Sequence, residues 1–111
     1  MNIEVKTKDG ITVVEIHGDI DSKTAPTVQD EILPLSQTTD KLLLDMKEVE
    51  YMSSAGLRVL LLLYRQLAAK KGKIVLVGLS QSILDTMSVT GFLKFFTIGE
   101  TAEAGLSLLQ G

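Results

Sequence analysis

The sequence lacks cysteine altogether. That absence excludes a disulfide scaffold and a zinc–thiolate site, and it is compatible with the cytoplasm, where we expect the protein to reside. A long apolar segment is also missing, because the longest strongly apolar run, Val59 to Leu63, is far too short to cross a bilayer. The first residues show no basic segment followed by an apolar one, so no secretion signal is predicted.

Positive charge is scarce and dispersed. The net charge is −3, and the densest basic cluster is Lys70, Lys71 and Lys73. Nucleic-acid binding through phosphates is therefore disfavoured. Glycine-rich phosphate loops of the GxxxxGK[ST] or GxGxxG type are absent. A single histidine without a compact carboxylate cluster gives no support for a metal site, so we predict neither a cofactor nor a metal.

The apolar residues that are present predict one packed α/β domain. Hydrophobic residues make up 45% of the 111 positions, enough for a normal core. Their spacing predicts a β β α β α β α β α order and a mixed β-sheet with helices packed on it, as one domain over 1–111. Asp9-Gly10 is typical of a hairpin turn. The predicted strands lie near residues 3–7, 11–17, 42–46, 73–77 and 95–98. Helices begin near Thr24, Ser54, Ser80 and Thr101, and Thr24, Ser80 and Thr101 are predicted to be N-caps.

The longest predicted helix runs from about Ser54 to Lys70. Gly72 is expected to end it, as glycine commonly does just beyond a helix. Its predicted core face follows helical spacing and comprises Leu57, Leu60, Leu61, Tyr64, Leu67 and Ala68.

Two serines stand directly before this helix. Ser53 and Ser54 are either ordinary capping residues or a phosphorylation site, where a phosphate would meet the positive end of the helix dipole. Ser54 is the better acceptor, since Ser53 can serve as the cap. Arg58 follows one turn later and could reach back toward a group on Ser54. Ser54, Arg58, Leu62 and Arg65 share a stripe, which is either a solvated face or a partner surface.

Four other residues carry chemistry that is open to two interpretations. Asp19 and Asp21 are either a pair of carboxylates for acid–base catalysis or turn residues, and the turn is favoured in a Gly-Asp loop. Asp45 closes an apolar strand. It is either a functional group at the end of the strand or a cap of the next turn. His17 is favoured as structural, because no orienting acid or nucleophile accompanies it in sequence.

Several segments together resemble the STAS domain family, specifically the bacterial anti-sigma-factor antagonists. The resemblance covers nearly the whole chain, and the central serine segment is its most specific part. The matching segments are Gly18-Asp19-Ile20-Asp21, Leu43-Leu44-Asp45-Met46, Tyr51-Met52-Ser53-Ser54-Ala55-Gly56-Leu57 and Gly91-Phe92-Leu93-Lys94-Phe95-Phe96.

The family commonly reads Asp-Ser-Ser/Thr-Gly-Leu at its phosphorylation site. The resemblance makes Ser54 the phosphorylated serine, with Ser53 in the position of the Asp and Ala55 in that of the second hydroxyl. Arg58 stands where many members have Gly, and Asp21 matches the loop acid near the serine. The resemblance and the polar stripe together predict a partner-binding surface comprising Asp21, Ser53, Ser54, Gly56, Arg58 and Leu62.

The resemblance implies a regulatory switch without enzymatic activity. The unmodified protein would bind an anti-sigma factor that is also a serine kinase, and so release the sigma factor. Phosphorylation of Ser54 would dissociate the complex, and a PPM-class serine phosphatase would reset it. Two alternatives remain open. One is a STAS subunit of a transporter or stress-signalling complex with a purely structural Ser54, and the other is a small hydrolase or nucleotide-binding enzyme that uses Asp19, Asp21 or Asp45.

Overall fold

Five strands form a mixed sheet in the computed structural model, which describes residues 1–110. They lie side by side in chain order; the first pair is antiparallel and the others are parallel. Asp9 and Gly10 join the first pair with φ values of +53° and +79°, as expected for a tight hairpin turn. The strands are β1 (Asn2–Lys8), β2 (Ile11–His17), β3 (Lys41–Glu48), β4 (Lys73–Val77) and β5 (Thr97–Gly99).

Helices cover both faces of the sheet, which confirms the predicted α/β fold and element order. The α-helices are α1 (Ala25–Ile32), α2 (Ser54–Ala69), α3 (Gln81–Thr90) and α4 (Ala102–Gln110), and 3-10 helices span Leu33–Gln37 and Phe92–Phe95. Helices α1, α2 and α3 share the larger core with residues such as Val14 and Leu44. Helix α4 packs on the opposite face, where Leu109 meets Leu43 and Val75.

None of the helices within residues 1–110 combines the length and the apolar character that crossing a membrane requires.

The buried face of helix α2 matches the predicted one in part, since Leu57, Leu60 and Leu67 are buried as predicted. Val59 and Leu63 are buried, whereas Leu61 and Tyr64 are only half-buried and Ala68 is exposed. Every residue from 59 to 63 is apolar, so periodicity does not distinguish the faces there, and contact with the sheet decides which one turns inward.

The final strand begins later than predicted. The segment Phe92–Phe95 is a 3-10 helix, and β5 covers only Thr97–Gly99. The Tyr64 ring lies 5.7 Å from that of Phe95 and 5.6 Å from that of Phe96, between ring centroids. Packing of these aromatic rings on α2 therefore overrides the β-propensity of the two phenylalanines.

Gly72 lies just beyond α2 as predicted, but it is not the residue that adopts the left-handed conformation there. The left-handed residue is Lys71, with φ of +61°. Gly72 instead permits a close approach, since its N–H donates to the Leu67 carbonyl at 2.7 Å and a Cβ would lie 2.9 Å from the Asp40 carbonyl oxygen.

Candidate functional site

Three loops meet at the edge of the sheet where the parallel strands end. They are residues 18–24 after β2, residues 49–53 after β3 and residues 78–80 after β4. Open α/β sheets characteristically bind their ligands at this edge, because the loops there are free to vary over a fixed scaffold. Ser53 and Ser54 lie where the second loop enters α2.

Backbone hydrogen bonds hold the first loop against the second. The Ile20 N–H donates to the Tyr51 carbonyl at 3.0 Å, and the Ser53 N–H donates to the Ile20 carbonyl at 2.8 Å. These bonds make Ile20 and Met52 a short parallel bridge. Asp21 follows Ile20 directly, and Ser54 follows Ser53 directly, so the bridge fixes both at the same edge.

Two side chains add bonds between the loops. Asp19 Oδ1 accepts from the backbone N–H groups of Glu50 and Tyr51, at 3.2 and 3.1 Å. Ser80 accepts from the Ile83 N–H at 3.2 Å, as predicted for a cap, and its hydroxyl also donates to the Glu50 carbonyl at 3.1 Å. Asp19 is thus structural, but its partners are too distant in sequence for local patterns to reveal them.

Asp21 organises the turn that leads into α1. Its Oδ1 accepts from the N–H groups of Lys23 and Thr24 at 2.8 and 3.0 Å. These bonds, that of Thr24 foremost, hold the pKa of Asp21 below its usual value. Thr24 occupies the N-cap position, but the prediction that it caps α1 is wrong, because its hydroxyl donates to the Asp19 carbonyl instead. The turn interpretation of Asp21 is confirmed.

Gly56 lies beneath the bridge between the loops. It is buried, and a Cβ there would lie 2.5 Å from Met52 Cγ and 2.8 Å from Ile20 Cγ2. A larger residue would push the first loop away from α2. The prediction that Gly56 belongs to a contact surface is therefore corrected: it positions the surface from below and is not accessible to a partner.

Ser53 and Ser54 have different environments. Ser53 is the N-cap residue of α2, yet its side chain makes no capping hydrogen bond. Its Oγ is buried, and within residues 1–110 it is the one buried side-chain polar atom without a hydrogen-bond partner. The prediction that the Ser53 hydroxyl caps the helix is thus wrong. Ser54 is exposed, and the first turn of α2 carries no acidic side chain.

The predicted stripe reaches a groove between α1 and α2 at one residue, Arg58. Arg58 and Arg65 are exposed, and Leu62 is half-buried. Arg58 lines the groove, which measures about 240 Å³ and has Pro26 and Asp30 on its other side. Of the six residues predicted to bind a partner, Arg58 is the one that lines this groove.

Tyr51 is an exposed aromatic residue that sequence reasoning did not single out as a contact residue. Its surface is 52% exposed, two residues before the Ser53 cap position. A large apolar ring held in solvent beside a polar site is typical of a protein–protein contact. In the sequence Tyr51 is simply a tyrosine in a loop, and this pattern does not identify a contact residue.

Asp45 lies on the other face of the sheet from Ser54. It shares the α4 face with Leu43, two residues earlier on β3. Its buried carboxylate accepts from the Lys47 N–H at 3.1 Å and lies 3.8 Å from the Lys47 ammonium group. Because β3 continues to Glu48, Lys47 lies within the strand, so the predictions that Asp45 closes the strand and caps the next turn are wrong.

His17 is part of a charged cluster on β1 and β2. Its Nε2 lies 3.3 Å from Glu4 Oε2 and 3.7 Å from Glu15 Oε2. Lys6 also hydrogen-bonds Glu15 at 3.4 Å and is the main cause that lowers the pKa of Glu15. His17 therefore has a structural setting, as favoured from sequence, and is not placed as a base for Ser54.

Comparison with known proteins assigns this arrangement to a family. The family model described as the STAS domain matches residues 2–105. The anti-sigma-B factor antagonist of Bacillus subtilis is 28% identical over 106 residues, which cover 96% of this chain and 97% of that protein.

Solved structures show the same architecture. An anti-sigma factor antagonist from Mycobacterium paratuberculosis has a TM-score of 0.90 at 27% identity, covering 99% of this chain and 94% of the other. The phosphorylated form of the Bacillus cell fate determinant SpoIIAA has a TM-score of 0.74 at 15% identity, covering 96% and 98%. At that identity the likeness to SpoIIAA shows the fold alone.

Proposed function

The chain belongs to the STAS domain family, and we propose that it acts as an anti-sigma-factor antagonist switched by phosphorylation of Ser54. In this proposal the unmodified protein binds an anti-sigma factor that is also a serine kinase, and thereby releases the sigma factor. The proposed domain spans 1–111 and works in the cytoplasm as a binding protein, without catalysis of its own.

The observation that carries the proposal is the contrast between the two serines. Ser54 is an exposed residue at the start of a helix of 16 residues, whereas the hydroxyl of the neighbouring Ser53 is buried. A kinase reaches an exposed hydroxyl and not a buried one. The helix start also tolerates an added anion, because its N–H groups form the positive end of the dipole.

Phosphorylation would change the charge of the surface more than its shape. A phosphoserine carries roughly −1.5 to −2 charges at neutral pH, on a chain whose net charge is −3. Asp21, on the adjoining loop, is held in its ionised form by two backbone N–H donors. A partner packed over both groups would have to desolvate two neighbouring anions, and a loss of about 1.4 kcal/mol already weakens binding tenfold.

The fold itself is expected to persist through the switch. The bridge between Ile20 and Met52 is made by backbone groups, so a phosphate on Ser54 removes none of its hydrogen bonds. The phosphorylated form of SpoIIAA has this fold, which supports a phosphate-tolerant architecture.

The proposed contact surface combines Tyr51, Ser54 and the groove lined by Arg58. Tyr51 supplies an exposed apolar anchor, and Arg58 supplies an unpaired positive charge among the described residues. Because Ser54 is exposed, a PPM-class phosphatase could also reach its phosphorylated form and reset the switch.

Mass spectrometry of the protein taken from its native cells tests the proposal. We expect a fraction of the chains to carry one phosphate, located on Ser54 by fragmentation. A phosphate on Ser53 in its place, or none under any growth condition, would remove the basis of the switch.

A further inference from the structure

A second concave site lies at the opposite end of α2 from Ser54. Tyr64 and Leu67 of α2, Phe95, and Leu108 of α4 surround a cleft of about 340 Å³. Tyr64 is ten residues beyond Ser54, which places it about 15 Å further along the helix axis. The cleft is therefore separate from the proposed switch surface.

The cleft exists because the edge strand is short. Strand β5 pairs only with Val75, Leu76 and Val77. The first two residues of β4, Lys73 and Ile74, therefore have β3 on one side and no strand on the other. Helices α2 and α4 cover the two faces of the sheet, and the space left between them at this edge remains open.

One lysine and no acidic residue line this cleft, although the chain as a whole is acidic. Lys73 lines the cleft, and the Lys94 ammonium group lies 5.5 Å from the centroid of the Phe95 ring. Lys71 precedes Gly72, another lining residue. None of these three lysines forms an ion pair in the described part of the chain, and no aspartate or glutamate lines the cleft.

From the mainly apolar side chains of this lining and the single lysine among them we infer that the cleft binds a small free amphiphilic anion, such as a fatty carboxylate. The apolar chain would lie between Tyr64 and Leu108, and the carboxylate would face Lys73. The cleft volume is at the lower end of the range of about 300–1,000 Å³ for small-molecule sites. An extended peptide fits less well, because an edge strand of three residues offers few backbone groups for pairing.

Titration of the full chain with decanoate, followed by backbone amide NMR, tests this inference. We expect saturable shifts of the Gly72, Thr97 and Leu108 amides, with the amides of residues 51–56 unmoved. Lys73→Gln should weaken binding about fivefold, the loss expected for one exposed charge pair. Lys8→Gln, on an exposed position of β1, is the matched control and should leave the affinity unchanged.

A second pair of variants tests the location without changing charge. Ala68 lines the cleft and is exposed, so Ala68→Phe should fill it and abolish decanoate binding while the thermal midpoint stays near that of the parent. Ala69→Phe, at the next exposed helix position, should bind normally. Equal affinity for decanol, shifts confined to other regions, or no shift at all would overturn the inference. Cleft amides that shift on dilution of the protein alone would assign the cleft to a second copy and also overturn it.

Discussion

The backbone N–H of Ser53 donates a hydrogen bond of 2.8 Å to the carbonyl oxygen of Ile20. This bond ties the loop that carries Asp21 to the start of the helix that presents Ser54. A change in charge at Ser54 therefore occurs on a surface built from two loops, and a partner that contacts one of them meets the other.

Replacing Gly56 tests how closely these loops pack. Gly56→Ala places a methyl group 2.5 Å from Met52 Cγ and 2.8 Å from Ile20 Cγ2. We expect the free energy of unfolding to fall by about 1–3 kcal/mol, as for other overpacked sites, measured by urea denaturation. In a Met52→Ala background the cost of Gly56→Ala should be smaller, because the nearer obstacle is gone. An equal cost in both backgrounds would place the strain elsewhere.

Ser53 and Ser80 occupy equivalent positions, and their replacement should have opposite consequences. Ser80 accepts a capping bond from Ile83, so Ser80→Ala should lower stability by about 1 kcal/mol. The Ser53 hydroxyl is buried without a partner, so Ser53→Ala should leave stability unchanged or raise it. The check is thermal unfolding of the two variants side by side. A comparable loss in Ser53→Ala would show that its hydroxyl does bond in solution.

Asp21 should make stability depend on pH at the acid end. Its pKa in the folded chain lies below the ordinary value of 3.8 because the Thr24 and Lys23 N–H groups bond the ionised form. The unfolded chain therefore takes up the proton first as the pH falls. The contribution of Asp21 is fully present above that ordinary value, and it is lost as the pH falls through the folded-state pKa.

Asp21→Asn should flatten this part of the profile, measured as the unfolding midpoint at a series of pH values from neutral to strongly acid. Asp30→Asn, an exposed aspartate on α1, is the control and should keep the parent's profile. Identical profiles for the parent and Asp21→Asn would mean that the bonds to Asp21 do not persist in solution.

Tyr51 is expected to be an energetic anchor for the proposed partner, an anti-sigma factor with kinase activity. The residue is 52% exposed and lies three positions before Ser54, and exposed aromatic residues are frequent hot spots. Tyr51→Ala should weaken partner binding by tenfold or more, for a hot-spot loss of about 2 kcal/mol. Val89→Ala removes another exposed apolar side chain, 87% exposed on α3, and should have no effect. Calorimetric titration of the purified kinase measures both.

Local patterns in the sequence were sufficient to predict the order of strands and helices and the residue at which α2 begins. The Asp9-Gly10 turn, the order of strands and helices, and the start of α2 at Ser54 each depend on a few neighbouring residues. Long-range contacts were not predictable in this way. Asp19 bonds residues 31 and 32 positions away, and Phe95 and Phe96 leave the strand because their rings pack on Tyr64.

The site was predicted only in part, because the burial of its residues depends on long-range packing. A serine pair before a helix shows where a hydroxyl lies, but only the packed structure shows that the Ser53 hydroxyl is buried and that Ser54 is exposed. Gly56 likewise matched a motif, and its role in packing against Ile20 became clear only once the loops were placed.

The most direct test of the proposed switch compares the affinity of the proposed anti-sigma kinase for Ser54→Ala, Ser54→Asp and the control Ser82→Asp. Ser82 is an exposed serine in the first turn of α3, so its replacement adds the same charge near the start of another helix. We predict that Ser54→Ala and Ser82→Asp bind as the parent does, and that Ser54→Asp binds at least about tenfold more weakly. Equal affinity of Ser54→Ala and Ser54→Asp would contradict the account.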